Sequence, residues 1–494
     1  MCRTNNRLAS NPTSLHYPSA LFNTPYVLPP LIDVLPQNSN CTKEINASVM
    51  EKSAKPNRSA SLELLAPEIL LQIVTKLPGL DTLWNLMRAS PHTWRVFDRN
   101  ALVIIQSILS GPNSVVPSST SELIRAVILV RSGILPFRDL QDLKKNFLMR
   151  QFQSGPHLYM KDPLVPELLA TSTIPVAALR SVVATAYHLS SLAQACLESC
   201  LARVRDPSFR PMHAFDPEPF YLGQIKPEDH VFVGTPVKVV DAGEPTWIEE
   251  MRALRAMWVI QLIGEMQCLV EDRAETINWS DEDVQTLSSM EAPDFVTNSL
   301  HFREEEIKTA MLYARTLGDT KKNTYYRLPR APSTAVCARR TMTSPKPNGD
   351  APVAYGFRRG DEIHFLKRGS PVPEDGEPMI SFASKWGQTE NYLYRPNPGM
   401  WAFKDLTAGR VRMISPLEGV KFDSFRPLGL AFWDRWRLYL LGLTWGGGEE
   451  WTVNGERRLP WFYHFAMESI LPPEEVASVK AALREKRRLG IITR

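Results

Sequence analysis

Cysteine is scarce in this chain. Six occur in 494 residues, at Cys2, Cys41, Cys196, Cys200, Cys268 and Cys337. So few, so scattered, exclude a disulfide framework. Cys196 and Cys200 lie four apart on an expected helix and share a face. The nearest histidine, His188, has no paired second, so the two read as buried structural thiols rather than metal ligands. Excess charge is also missing. The 57 basic and 53 acidic side chains leave a net charge of +4, which implies no strong attraction to nucleic acid or to an anionic membrane. No window of 18 apolar residues suggests a membrane span. Arg3 and Arg7 are followed by polar residues instead of the apolar core of a secretory signal. Reduced thiols then fit a cytoplasmic or nuclear location.

Recognisable catalytic chemistry is lacking as well. There is no nucleophile elbow, zinc-hydrolase helix or phosphate loop. Gly446-Gly447-Gly448 is not followed by the Lys and Ser/Thr that phosphate binding needs. Glu449 and Glu450 are adjacent, so they do not face each other on a helix. The nine histidines are dispersed, none four residues from another. The expectation is a non-enzymatic protein with no catalytic residue, cofactor or metal. The enzymatic alternative would require His364, Glu449, Glu450 or His464 to gather in one deep pocket. No leucine-rich, WD or kelch period is present either. That removes the usual clues to a protein-binding array.

What is present is helical periodicity. Residues 1–58, rich in Asn, Ser and Pro, read as a disordered tail. A three-helix module over 59–110 follows, then a short polar linker from Gly111 to Ser119. A helical domain over 120–320 carries helices through Leu123–Val130, Leu140–Leu148, Val176–Val204, Trp247–Asp272 and Glu304–Leu317. Ser280 caps a further one. The stripe Met251, Leu254, Trp258, Leu262 and Met266 marks Trp247–Asp272 as the clearest long helix. The acidic run Glu304-Glu305-Glu306 reads as a solvated helix start. Residues 321–353 form a basic loop containing Pro and Ser, with Ser344-Pro345 suited to a proline-directed kinase. Residues 354–494 are aromatic-rich, with one hairpin expected around Arg359-Gly360-Asp361 and a last helix over Pro473–Leu489. The fold class is mainly α, with a few short strands.

The module itself is the most informative stretch. Leu62, Leu64 and Leu65 lead into Pro67, which suits a first helical position because its missing N–H would be unpaired there. Glu68 places negative charge where the helix dipole favours it. Ile69, Ile73 and Leu77 form one stripe, and Leu70, Val74 and Leu77 another, so this helix is apolar beyond a single face. Asp81 opens a second helix with Leu83, Leu86 and Met87. Ser90-Pro91 opens a third, with Trp94, Phe97, Ala101, Ile104, Ile105 and Ile108 on one stripe. A unit of roughly 45 residues sits near the lower limit for independent folding. A partner or the following domain must cover the surplus.

These residues resemble an F-box, the adaptor-docking module of SCF-type ubiquitin ligases. The likeness rests on the Leu-rich arm, Pro67-Glu68-Ile69-Leu70, Ile73, Leu77, the Leu83/Leu86 pair, and Ser90 followed by Trp94 and Phe97. Arg88-Ala89-Ser90-Pro91 and Trp94-Arg95 are similar to the version found in large F-box proteins of filamentous fungi. Residues Leu428 to Leu443 resemble a segment near the end of the same proteins. Ala66 stands where the family has leucine, so either Leu64 or Leu65 fills that pocket or one anchor is lost. The resemblance implies docking on a Skp-type adaptor and, through it, a cullin and a RING protein, with an unknown protein substrate held by the C-terminal region. It implies an adaptor contact from Leu64, Leu65, Pro67, Glu68, Ile69, Leu70, Ile73 and Leu77, with Leu83, Leu86 and Trp94 as framework or contact. A scaffold that binds the adaptor without directing ubiquitination is the alternative. Which helical face meets the partner stays open.

Overall fold

The computed structural model describes residues 62–149, 164–214, 234–236, 241–273, 278–296, 303–318, 327–332, 420–443 and 462–491. It also describes two short strands at 451–453 and 456–458 and the isolated positions 239, 393, 399, 400 and 403. Residues 60–494 group as one unit, whereas residues 1–59 form another that lies outside the described residues, as do the expected tail and the hairpin at Arg359-Gly360-Asp361.

The protein is mainly helical. A 3-10 turn, Leu62–Leu64, precedes α1 (Pro67–Val74), α2 (Leu80–Ala89), α3 (Pro91–Ser110) and α4 (Ser118–Arg131). A π-helical turn at Asp142–Leu148 leads to α5 (Leu164–Thr171) and α6 (Val176–Val204). Then come α7 (Trp247–Arg273), α8 (Asp281–Ser289), α9 (Arg303–Thr316), α10 (Arg435–Leu440), α11 (Phe462–Ser469) and α12 (Pro473–Arg488). Strands β1 (Met212–Ala214) and β2 (Gly234–Pro236) pair antiparallel, and so do β3 (Trp451–Val453) and β4 (Glu456–Arg458). Neither pair coincides with the expected hairpin. The residues between β3 and β4 are Asn454-Gly455, the dipeptide that most favours a tight hairpin turn. That signal stood in the sequence and was missed.

The helix starts follow local chemistry. Pro67 and Pro91 occupy first turns of α1 and α3. Ser90 and Ser280 cap their helices by accepting from the N–H of Thr93 and Asp283 at 3.1 Å and 3.2 Å. Within α3, Asn100 leaves helical geometry (φ −133°, ψ 24°). Its amide donates to the Val96 carbonyl at 3.1 Å, a side-chain bond back onto the preceding turn beside the kink.

Helix α7 lies at the centre and packs against α4, α6 and α9. Expected to bury one stripe, it is enclosed on nearly every side: Ala253, Ala256, Met257 and Val259 are as buried as Met251 and Trp258. A helix covered all round loses the polar face that amphipathic reading relies on. It is also the one described helix long and apolar enough to pass as a membrane span. Its buried Glu249, Arg252, Arg255 and Glu265 belong to ion pairs and hydrogen bonds inside the fold.

Those pairs correct a second expectation. Glu305 and Glu306 are buried, not solvated. Glu306 meets Arg255 at 2.7 Å and also Arg303, while Glu305 meets Arg426 at 2.7 Å. Burial pushes the Glu306 carboxyl up, but Arg303, Arg255 and Arg252 outweigh it and hold the group below its ordinary range. An acidic helix start is normally satisfied by water and the helix dipole. Here guanidinium groups from α7 and from the 422–428 turn replace the water.

The start of the basic loop is also packed. Leu328 is buried, its carbonyl pairs with His188 at 3.2 Å, and the Arg327 N–H donates to Gln261 at 3.0 Å. Ser344-Pro345 lies outside the described residues.

Candidate functional site

The N-terminal module divides its apolar surplus in two. The stripe Leu70 and Val74 turns inward from α1, and α1 packs on α3. Helices α2 and α3 press Leu83, Met87, Phe97 and Ile104 into the common core, α2 and α3 both lying on α6. The following domain therefore covers these two helices. The outer stripe of α1 stays partly exposed at Ile69 and Ile73.

Successive helical residues are about 100° apart, so Ile69 and Ile73 point away from the direction taken by Leu70 and Val74. Ile69 keeps 47% of its surface exposed and Ile73 39%. In the preceding arm Leu62 is 37% and Leu64 is 79% exposed. Of the eight large apolar side chains exposed among the described residues, four lie between Leu62 and Ile73. Such clustering is what distinguishes an interaction face from scattered surface leucines. Pro67 and Glu68 are exposed beside it, and Leu65 is half-buried.

Leu70, expected as an anchor, is not available, and Leu83, Leu86 and Trp94, expected as framework or contact, stand as framework. Leu70 and Leu83 are fully buried, because they supply the module's own core. Leu77 and Leu86 are half-buried and pack against that core. Trp94 is engaged within the chain: its ring lies 6.0 Å from Trp84 and 5.0 Å beneath the Arg180 guanidinium of α6. Arg180 in turn pairs with Asp98 at 2.6 Å. Trp94 thus serves as framework that fastens the module to the body. Leu64, Pro67, Glu68, Ile69 and Ile73 remain as the accessible set.

The arm is held in place. The Ser90 hydroxyl donates to the Glu63 carboxylate at 2.5 Å, and the His92 imidazole bonds the Leu65 carbonyl at 3.0 Å. Neither tie was legible in the sequence, since 27 residues separate each pair.

The C-terminal aromatics, where described, are core. Phe422, Phe425, Phe432 and Trp433 are buried. Arg437 forms a fork on Glu249 at 2.9–3.1 Å and lies 4.9 Å from the Trp433 ring centre. Arg252 donates to the carbonyls of Phe432 and Trp433 at 2.9 Å and 3.0 Å. Asp434 accepts from Thr246 at 2.9 Å and from the Arg437 N–H, also at 2.9 Å. Burial, reinforced by the neighbouring Glu249, pushes the Asp434 carboxyl up to about 6.

His364, Glu449, Glu450 and the side chain of His464 lie outside the described residues. Cys196 and Cys200 are both buried, and the hydrogen bond with Cys200, reinforced by burial, raises the Cys196 thiol. A raised thiol is an inert one.

Comparisons of this chain with protein families, curated proteins and solved structures give no match.

Proposed function

We propose that this protein is the substrate-recognition subunit of an SCF-type ubiquitin ligase, docking on a Skp-type adaptor through the arm and outer face of α1. The observation that supports this reading is the pair Ile69 and Ile73 exposed on α1, with Leu64 exposed in the arm before it, on a module whose other two helices are already anchored to the body. Full burial of such a side chain from water contributes roughly 1.5–3 kcal/mol, of which docking adds the share still exposed at Ile69 and Ile73, and a few such side chains can anchor an ordinary interface. The body would hold a protein target near the ubiquitin-charged enzyme. Acceleration then comes from effective concentration, so the chain supplies binding and no chemistry of its own.

The test is co-purification of the full chain with adaptor and cullin. The paired substitution Ile69→Asp/Ile73→Asp places charges on exposed positions, so helix content and thermal midpoint should stay near wild type. Adaptor recovery should fall to background. Recovery at wild-type level would refute the reading. Recovery of adaptor without cullin would replace it with a scaffold role.

A further inference from the structure

Leu64 is the most exposed apolar side chain of the face and sits on a single 3-10 turn. Three residues of arm would not hold such a position unaided, because one turn fixes several dihedrals for one hydrogen bond. Here that bond runs from the Leu65 N–H to the Leu62 carbonyl at 3.3 Å, at the long end of the useful range. The ordering must come from elsewhere. Two side chains at the start of α3 reach across to supply it: Ser90 on Glu63 and His92 on the Leu65 carbonyl. These two contacts flank Leu64 in the chain. The Ser90 hydroxyl simultaneously accepts from the Thr93 N–H, so it is fixed by the helix it caps.

We propose that Glu63, Ser90 and His92 are positioning residues for partner docking, clamping the arm so that Leu64 is presented beside Ile69 and Ile73 before the partner arrives. This deepens the adaptor-docking reading and rests on it. The physical gain is preorganisation: the entropy of ordering the arm is lost on folding of the chain and not again on binding. The clamp also selects Leu64 over Leu65 as the side chain offered where Ala66 leaves no leucine. Leu65 is half-buried, with its carbonyl engaged by His92.

Ser90 both caps α3 and holds Glu63, so replacing it confounds the two roles. Glu63 is exposed and lies outside α3, which makes it the cleaner probe. Titration calorimetry of the full chain against purified Skp-type adaptor should show Glu63→Ala weakening affinity about fivefold to tenfold, with an unchanged thermal midpoint. Glu63→Gln keeps an oxygen for the Ser90 hydroxyl and should bind like wild type, an outcome that a general loss of stability would not produce. His92→Ala should resemble Glu63→Ala. Adding Glu63→Ala to Leu64→Ala should cost little more than Leu64→Ala alone, since the clamp acts through that leucine. Amide exchange at Leu65 should quicken in Glu63→Ala even without adaptor. Wild-type affinity for Glu63→Ala, or equal weakness of Glu63→Gln and Glu63→Ala, overturns the clamp while leaving the docking face standing. Absence of binding by the wild-type chain overturns both.

Discussion

Ile69 and Leu70 are neighbours of similar size and apolarity, yet one is 47% exposed and the other is wholly buried. Their fates differ only in the direction that α3 lies from α1. Gln194 shows the converse conflict. It is buried in α6, and neither its carbonyl oxygen nor its amide nitrogen meets a hydrogen-bond partner among the described residues. An unsatisfied buried polar group costs about 1–3 kcal/mol, and an apolar group of similar shape removes that cost. Gln194→Met should therefore raise stability by about 1–2 kcal/mol in denaturant unfolding. Destabilisation would mean that the Gln194 amide is hydrogen-bonded in the folded protein or that the site does not fit methionine.

Single turns hold the C-terminal segment onto the helices. The 3-10 turn Phe422–Leu428 ends at Gly429, which adopts φ 75°, a conformation that costs other residues about 1–2 kcal/mol. A Cβ there would lie 2.6 Å from the Trp433 ring and 2.8 Å from Cβ of Cys200 on α6. Backbone strain and overlap act together, so Gly429→Ala should lose more than about 3 kcal/mol, measured as a fall in thermal midpoint. A neutral result would show that the segment docks less tightly than its burial indicates. Helix limits were largely readable beforehand: Val176–Val204 coincides in sequence and structure, and Ser280 caps as its side chain suggests. The π-helical turn and the short strands were not, because three-residue strands carry no period to detect.

Two buried groups, His188 and Asp434, act on acid stability in opposite senses. Burial lowers His188 from 6.5 to about 4, with the nearby Arg330 adding to the effect. Between those values the unfolded chain binds the proton and the folded one does not, so stability falls as pH drops from 6.5 towards 4. Asp434 is raised from 3.8 to about 6. In that window the folded chain holds the proton, so stability rises as pH drops. Each contributes a slope of about 1.4 kcal/mol per pH unit, and between pH 4 and 6 the two offset. Asp434→Asn should lose stability on acidification more steeply than wild type, and His188→Gln less steeply. Unfolding curves at pH 4.5, 5.5 and 7 check both signs, and parallel profiles for the three proteins would contradict them.

Local chemistry was enough to place most helices, the caps at Ser90 and Ser280 and the arm before Pro67, though Gly79 and not Asp81 stands at the N-cap of α2, because proline geometry, capping hydroxyls and apolar spacing act over a few residues. It also disclosed that the first three helices hold more apolar surface than they can enclose. Where that surplus would be covered depended on α6, which starts at Val176, 66 residues after α3 ends at Ser110. The same holds for Glu305 and Glu306, whose solvated appearance reversed once Arg255 and Arg426 were folded against them. Neighbours distant in the chain decide burial, and burial decides whether an isoleucine is core or contact and whether a carboxylate faces water or a guanidinium.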